Sequence, residues 1–146
     1  MRQINGYLFP EGLYFHTDHT WVREEPDGSL TIGMTDFYVQ NAGDTTYIDL
    51  PEEDDEIVQG ETAGKIQSSK WVGKLVSPVS GTVRLINEDL EDDFMLINRD
   101  PYGAGWIMTI DPSDWDDEQH RLMSDESALN RFVEDEVRKL EADDGS

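Results

Sequence analysis

The stretch TAGKIQSSKWVGKLVSPVSGTV, residues 62–83, decides the predicted fold because it places a lysine between two β-type runs. Residues 62–69 predict one strand and residues 75–86 predict the return strand, so Lys70 lies in the connection that spans residues 70–73. A side chain at the tip of such a hairpin projects into solvent, where other proteins can reach it. The chain has few lysines, so Lys70 is a candidate attachment site, although an ordinary hydrophilic turn residue is the simpler alternative.

Short β-type runs separated by turn signals fill most of the remaining chain. The runs 21–25 and 29–33 flank Pro26-Asp27-Gly28, a turn sequence in which proline presets φ and glycine supplies an unusual backbone angle. These residues predict a β-hairpin. Thr35 is a good N-cap and Gly43 a good terminator, so a short helix is expected between them.

The C-terminal part of the chain has a helical pattern. After Ser124, apolar residues recur at helical spacing and predict a helix that packs on the sheet through one face, which is formed by Leu129, Phe132, Val133, Val137 and Leu140. We therefore expect a β domain over residues 1–112, a packed helical extension over 113–140 and a disordered acidic tail over 141–146.

Composition excludes several classes of function. A chain of 146 residues with 36% hydrophobic content has the size of one domain. Its 11 basic and 33 acidic residues give a net charge of -22, which disfavours nucleic acid and anionic membranes as partners. There is no cysteine, so neither a disulfide nor a sulfur-ligated metal site can form. No segment has the pattern of a membrane span or a secretory signal, so we expect a cytoplasmic protein.

Sequence motifs for autonomous catalysis are absent. The chain has no Gly-x-Ser-x-Gly, Walker-type or Gly-x-Gly-x-x-Gly sequence. His16 and His19 lie on either side of Asp18, but their odd spacing in a β-type segment predicts opposite faces and no chelate. We therefore expect no catalytic residue and no metal site.

A series of motifs between His19 and Trp106 resembles the glycine cleavage H-protein family. In order they are HTWVR at 19–23, GMTD at 33–36, AGD at 42–44, LP at 50–51, QSSK at 67–70, SPVSG at 77–81, NE at 87–88 and NRDPYGAGW at 98–106. The ungapped spacing from Lys70 to Pro78 aligns Lys70 with the lipoyl-lysine of the family. The resemblance implies a mainly β fold, a lipoyl/biotinyl-type hybrid barrel-sandwich with a short helix and a C-terminal helix. It also implies lipoic acid attached covalently as N6-lipoyllysine.

The residues beside Lys70 depart from the family and bear on the pathway. Gln67 stands where the family has an acidic residue, Ser69 replaces valine and Trp71 replaces a small residue; with Ser68, these are the expected residues for recognition around the arm. The sequence Lys-Trp-Val-Gly resembles lipoate-binding proteins of the heterodisulfide-reductase-like sulfur-oxidation pathway. Sulfur oxidation is therefore the first prediction and glycine cleavage the second, whereas a biotin carrier or an unmodified interaction module is a weaker alternative.

The partners follow from these two pathways. A lipoate ligase or lipoyl transferase would load the chain, which we expect to be a monomer. A heterodisulfide-reductase-like complex or the glycine cleavage components would then use the arm.

Overall fold

The structure is a computed structural model that describes residues 2–144, and it is mainly β, as the sequence predicted. The strands are β1 (Gln3–Ile4), β2 (Tyr7–Leu8), β3 (Tyr14–Phe15), β4 (Thr20–Glu24), β5 (Leu30–Met34), β6 (Thr45–Asp49), β7 (Glu56–Ile57), β8 (Thr62–Ser68), β9 (Val72–Val76), β10 (Gly81–Ile86) and β11 (Met108–Pro112). The helices are α1 (Asp36–Ala42), α2 (Asp89–Asp92), α3 (Leu96–Arg99), α4 (Trp115–Glu118) and α5 (Glu126–Asp144), and a 3-10 turn covers Gln119–Arg121.

The strands form three antiparallel sheets. The largest has the order β3-β4-β5-β11-β10-β7, the second has the order β6-β8-β9, and β1 pairs with β2. Val22 and Ile32 of the six-stranded sheet share one buried apolar cluster with Ile66 and Leu75 of the three-stranded sheet. The two larger sheets are therefore joined by a common core, which is the sandwich arrangement expected from the sequence.

Two local predictions in the first part of the chain are confirmed. Strands β4 and β5 pair in register from Thr20↔Met34 to Glu24↔Leu30, and the turn between them is closed by Asp27, which accepts hydrogen bonds from the Ser29 amide at 2.9 Å and hydroxyl at 2.6 Å. Helix α1 begins after Thr35, whose hydroxyl accepts a hydrogen bond from the Tyr38 amide at 3.2 Å. Turn and cap chemistry act over short separations, which is why the sequence alone identifies them.

The predicted return strand over residues 75–86 is wrong. Strand β9 pairs with β8 in the three-stranded sheet, whereas β10 pairs with β11 and β7 in the six-stranded sheet. The chain crosses between the sheets at residues 77–80, where Pro78 has no amide hydrogen for a ladder bond. The Ser77 hydroxyl stabilises this crossing by donating to the Val79 carbonyl at 2.6 Å.

Helix α5 extends further than predicted. It begins at Glu126 and continues to Asp144, so the prediction of disorder is wrong for residues 141–144, while Gly145 and Ser146 lie outside the described residues. Continuing an existing helix gains a backbone hydrogen bond per residue without a new nucleation cost, which favours this extension. Leu129 and Val133 are completely buried. The domain boundary at residue 112 stays a prediction.

The turn at residues 16–19 corrects the argument about the two histidines. The His19 amide donates to the His16 carbonyl at 3.1 Å and His19 has φ 72°, so neither histidine lies in a strand. The prediction that the two histidines lie on opposite faces of a strand is therefore wrong. Across residues 2–144, no three His, Cys, Asp or Glu side chains are grouped so that they could hold a metal ion. Within the same range, no helix combines the length and apolar character needed to cross a membrane.

Candidate functional site

Lys70 lies at the tip of the β8–β9 hairpin. The last pair of the ladder is Gln67↔Val72, so β9 begins at Val72 and the connection ends two residues earlier than the sequence predicted. Lys70 is exposed, and its amine forms no ion pair with any residue that the structure describes. The tip of the hairpin therefore presents the Lys70 amine to solvent.

The backbone of this tip is anchored although the lysine side chain is free. The Lys70 amide donates to the Ala42 carbonyl at 3.0 Å, and the Ser69 amide donates to the Asp44 carbonyl at 2.9 Å. In return, the Asp44 amide donates to the Ser69 hydroxyl at 3.2 Å. The bond to Ala42 also satisfies a carbonyl at the end of α1 that would otherwise have no intrahelical partner. The base of the lysine side chain is thus held in a defined position.

Gly43 allows the hairpin tip to approach α1 this closely. It has φ 82°, and a Cβ atom at this position would lie 2.2 Å from the Ser69 hydroxyl oxygen. Asn98 of α3 holds the same segment, because its amide nitrogen donates to the Gly43 carbonyl at 2.7 Å and its oxygen accepts from the Thr45 amide at 3.0 Å. The sequence predicted Gly43 only as a helix terminator. Asn98 was visible only as the first residue of the NRDPYGAGW motif.

Replacing Gly43 with alanine should loosen the hairpin tip. The backbone conformation alone costs about 1–3 kcal/mol for a residue with a side chain, and displacement of Ser69 adds to that loss. We expect the Gly43→Ala protein to unfold at lower urea concentration and the Lys70 amide to exchange its hydrogen faster. Gly60→Ala is the matched control, since Gly60 has φ 83° but nothing within 4 Å of a Cβ atom. Equal stability losses and unchanged exchange at Lys70 would contradict the role given to Gly43.

The four flanking residues named by the sequence differ in their accessibility. Ser69 is exposed and Gln67 and Trp71 are half-buried, whereas Ser68 is only 8% exposed. The Ser68 hydroxyl donates to the Trp71 carbonyl at 2.8 Å, so it stabilises the turn from within. Ser68 is therefore a structural residue of the hairpin, which sequence reasoning could not distinguish from a recognition residue.

Trp71 packs against the body of the protein instead of projecting beside the lysine. Its ring meets Tyr38 edge to face with centroids 5.7 Å apart, and it lies 6.2 Å from the His19 ring. Such aromatic pairs are favourable beyond the area that they bury. Trp71 is accordingly half-buried beside the attachment hairpin.

A small cleft of about 180 Å³ opens beside Trp71, lined by His19, Phe37, Trp71, Glu136, Lys139 and Leu140. His19 Nε2 lies 3.0 Å from Glu136 Oε1, and Lys139 Nζ lies 3.0 Å from Glu136 Oε2. The hydrogen bond from His19 is the main reason that the pKa of the Glu136 carboxyl is below its ordinary value, and Lys139 adds to it against the effect of burial. Helix α5 therefore contributes polar side chains next to the attachment hairpin.

Glu136 was missed by the sequence analysis. It is 117 residues from His19 along the chain, and no local pattern joins the two. Glu136 directly precedes Val137, one of the residues of the apolar stripe, so it lies at the border of the buried helix face. Its position next to the apolar stripe was the only signal in the sequence, and its burial became visible only in the structure.

Comparison with known proteins identifies the family. A protein-family profile described as "Glycine cleavage H-protein" matches residues 13–136. The glycine cleavage system H protein of Mycobacterium avium (strain 104) is 42% identical over 105 residues, which cover 72% of this chain and 80% of the relative. The probable H protein of Thermococcus gammatolerans is 39% identical over 134 residues, which cover 92% and 98%.

A solved structure supports the same assignment. The crystal structure of a glycine cleavage system H protein from Mycobacterium marinum superposes with a TM-score of 0.68 at 34% identity and covers 72% of this chain and 87% of its own. Fold and sequence therefore agree over most of the chain. The chain belongs to the glycine cleavage H-protein family.

Proposed function

We propose that this chain is the lipoyl carrier of a glycine cleavage system and that Lys70 is its attachment residue. Proteins of the family carry lipoate bound covalently to a lysine. The observation that carries the proposal is the geometry of the β8–β9 tip, where a free and exposed amine extends from an anchored backbone. A lipoate ligase or transferase can approach such a tip without unfolding the protein.

The other lysines fit attachment less well. Lys65 and Lys74 lie within strands and face each other across the hairpin, so their main chains are part of the ladder. Lys139 lies on α5 and its amine pairs with Glu136 at 3.0 Å. Lys70 is the one of the four that combines a turn position, an exposed side chain and no ion pair among the described residues.

The residues around Lys70 determine how a bound arm would be presented. A lipoyl group supplies a dithiolane whose sulfur–sulfur bond can open to accept a fragment. The carbonyls of Ala42 and Asp44 hold the hairpin backbone, so the root of the arm stays fixed while the lysine side chain moves. A fixed root and a flexible arm give a high effective concentration at each partner site. This role requires no catalytic residue in the chain, and we propose a non-catalytic carrier.

Glycine cleavage replaces sulfur oxidation as the preferred pathway. The relatives reported above are named glycine cleavage H proteins, and one of them spans nearly the whole chain. The sulfur-pathway prediction depended on Gln67 and Trp71. Gln67 pairs with Tyr47 in the sheet and Trp71 packs on Tyr38, so both residues that depart from the family are half-buried.

A reconstituted glycine cleavage assay tests the pathway. The lipoylated chain should support turnover when it replaces the H protein in a system that contains the remaining components. The reason is that Lys70 is exposed at the tip of a hairpin whose backbone is anchored. The unlipoylated chain is the control and should be inactive. Absence of turnover by the lipoylated chain, with a known H protein active in the same assay, would exclude this pathway. Activity that appears only in the Gln67→Glu, Trp71→Ala double variant would show that the flanking residues suit a different partner.

A further inference from the structure

The attachment hairpin differs in charge from the rest of the protein. Residues 62–87 contain no Asp or Glu, although the chain has 33 acidic residues in 146. The same stretch contains Arg84 and three lysines, which we call the hairpin lysines: Lys65, Lys70 and Lys74. A strongly acidic protein therefore carries a local concentration of positive charge at its attachment site.

These positive charges are exposed and largely uncompensated. Arg84 is neutralised by Asp27 at 2.9 Å and Asp111 at 3.7 Å, but the hairpin lysines form no ion pair with the residues that the structure describes. Asp49 faces Lys65 across the β6–β8 ladder and Asp44 contacts the hairpin tip through its backbone, and neither carboxylate lies within ion-pair distance of a hairpin lysine. At physiological ionic strength, salt screens the effect of carboxylates that lie more than about 8 Å away. Nearby charges therefore dominate the electric field at the hairpin.

The stability of the fold does not explain why these lysines lie where they do. Lys65 and Lys74 are paired in register on one face of the sheet, and like charges directly opposite each other weaken a strand pair. A lysine on an edge strand protects against aggregation, which would account for Lys74 on β9. Lys65 lies on β8, the central strand of that sheet, so edge protection does not account for it.

We propose that the hairpin lysines form a docking surface for an acidic patch around the active site of the enzyme that acylates Lys70. The inference rests on the proposed attachment at Lys70. An acidic partner surface is repelled by most of this protein and attracted only by the hairpin, so the charges align the target amine with the active site. The docking surface thus supplies orientation as well as attraction.

Acylation itself changes this surface. The cationic Lys70 amine first gives a proton to solvent; its free nitrogen then attacks the carbonyl carbon of an acyl adenylate. A carbon–nitrogen bond forms, the carbon–oxygen bond to phosphate breaks, AMP leaves, and a second proton passes to solvent. The cationic amine becomes a neutral amide. The hairpin lysines then carry two positive charges instead of three, so the modified carrier binds the acidic patch less tightly and product release is favoured.

The test measures binding and modification separately with a lipoate–protein ligase as the probe. Calorimetry gives the Kd of the unmodified chain for the ligase at about 0.05 M and about 0.5 M salt, and initial rates with ATP and lipoate give kcat/KM. The variants are Lys65→Glu with Lys74→Glu, and the milder Lys65→Gln with Lys74→Gln. The matched control is Arg131→Glu with Arg138→Glu, which changes net charge equally at exposed positions of α5.

The glutamate pair should weaken binding and lower kcat/KM by about tenfold at low salt, with a smaller effect at high salt. The glutamine pair should lie between it and wild type, Lys70→Gln should weaken binding severalfold, and the control should match wild type. Equal losses in the control, or no loss in either hairpin pair, would overturn the docking surface while lipoylation of the wild type continued. Failure of the ligase to modify wild-type Lys70 would overturn the proposed function and this inference with it.

Discussion

Lys70→Arg is expected to abolish lipoylation and all carrier activity while leaving the free energy of unfolding within about 0.5 kcal/mol of the wild-type value. Arginine keeps the positive charge but stays protonated at any practical pH, so it has no free nitrogen pair to attack an acyl donor. The Lys70 side chain is exposed, and the residue contributes to the fold through its backbone amide, which donates to the Ala42 carbonyl. Intact-protein mass spectrometry and urea unfolding measure the two effects.

Lys65→Arg and Lys74→Arg provide the controls for this prediction. Both change an exposed lysine on the same hairpin to arginine, and both should leave lipoylation complete at the end of the reaction. Lipoylation of the Lys70→Arg protein at a neighbouring lysine would show that the hairpin, and not the residue at its tip, is what the modifying enzyme recognises.

Truncation after Ser124 is expected to leave the protein unfolded or barely stable at 25 °C. The deletion removes α5, including Leu129 and Val133, whose complete burial contributes about 1.5–3 kcal/mol each. Partly buried side chains of the same helix add to this loss, which approaches the 5–15 kcal/mol total stability of a typical domain. Thermal unfolding followed by circular dichroism measures the effect.

A chain that ends at Leu140 is the control for the truncation. It keeps every buried residue of α5 that the structure describes, so its melting temperature should remain close to that of the full chain. A protein truncated after Ser124 that melts at the wild-type temperature would show that α5 is an independent appendage, in conflict with its position against Phe9, Phe15 and Trp21.

The helix deletion also affects the attachment site. Glu136 and Lys139 form part of the cleft beside Trp71, and His19 pairs with Glu136 at 3.0 Å. Leu129→Ala destabilises the helix without removing these polar groups, at a cost of about 2–5 kcal/mol. Comparing the melting temperature and the lipoylation of this variant with those of Glu136→Gln separates the packing of the helix from the contribution of its polar groups to the cleft.

Local chemistry made part of this fold predictable. The turn at Asp27, the cap at Thr35 and the break at Gly43 each act within a few residues, and the structure has all three. The position of Lys70 between two strands also follows from local patterning, and the structure places it in the turn between β8 and β9.

Long-range arrangement could not be predicted in the same way. The crossing at residues 77–80 separates two strands because their partners, β8 and β11, belong to different sheets. Strand β11 and the His19–Glu136 pair depend on contacts between distant segments, for which local periodicity gives no signal. The packing of Trp71 on Tyr38 likewise belongs to tertiary structure, so the sequence could not reveal it.

Peptide mapping of the wild-type protein from cells supplied with lipoate tests the attachment at Lys70 most directly. Trypsin cleaves after Lys65 and Lys74 but not after an acylated lysine, so the peptide of residues 66–74 reports the state of Lys70. The predicted result is one lipoyl group on this peptide, located at Lys70 by fragmentation, with Lys65 and Lys74 unmodified. An unmodified Lys70, or a lipoyl group found only on another lysine, would contradict the assignment of this residue as the root of the carrier arm.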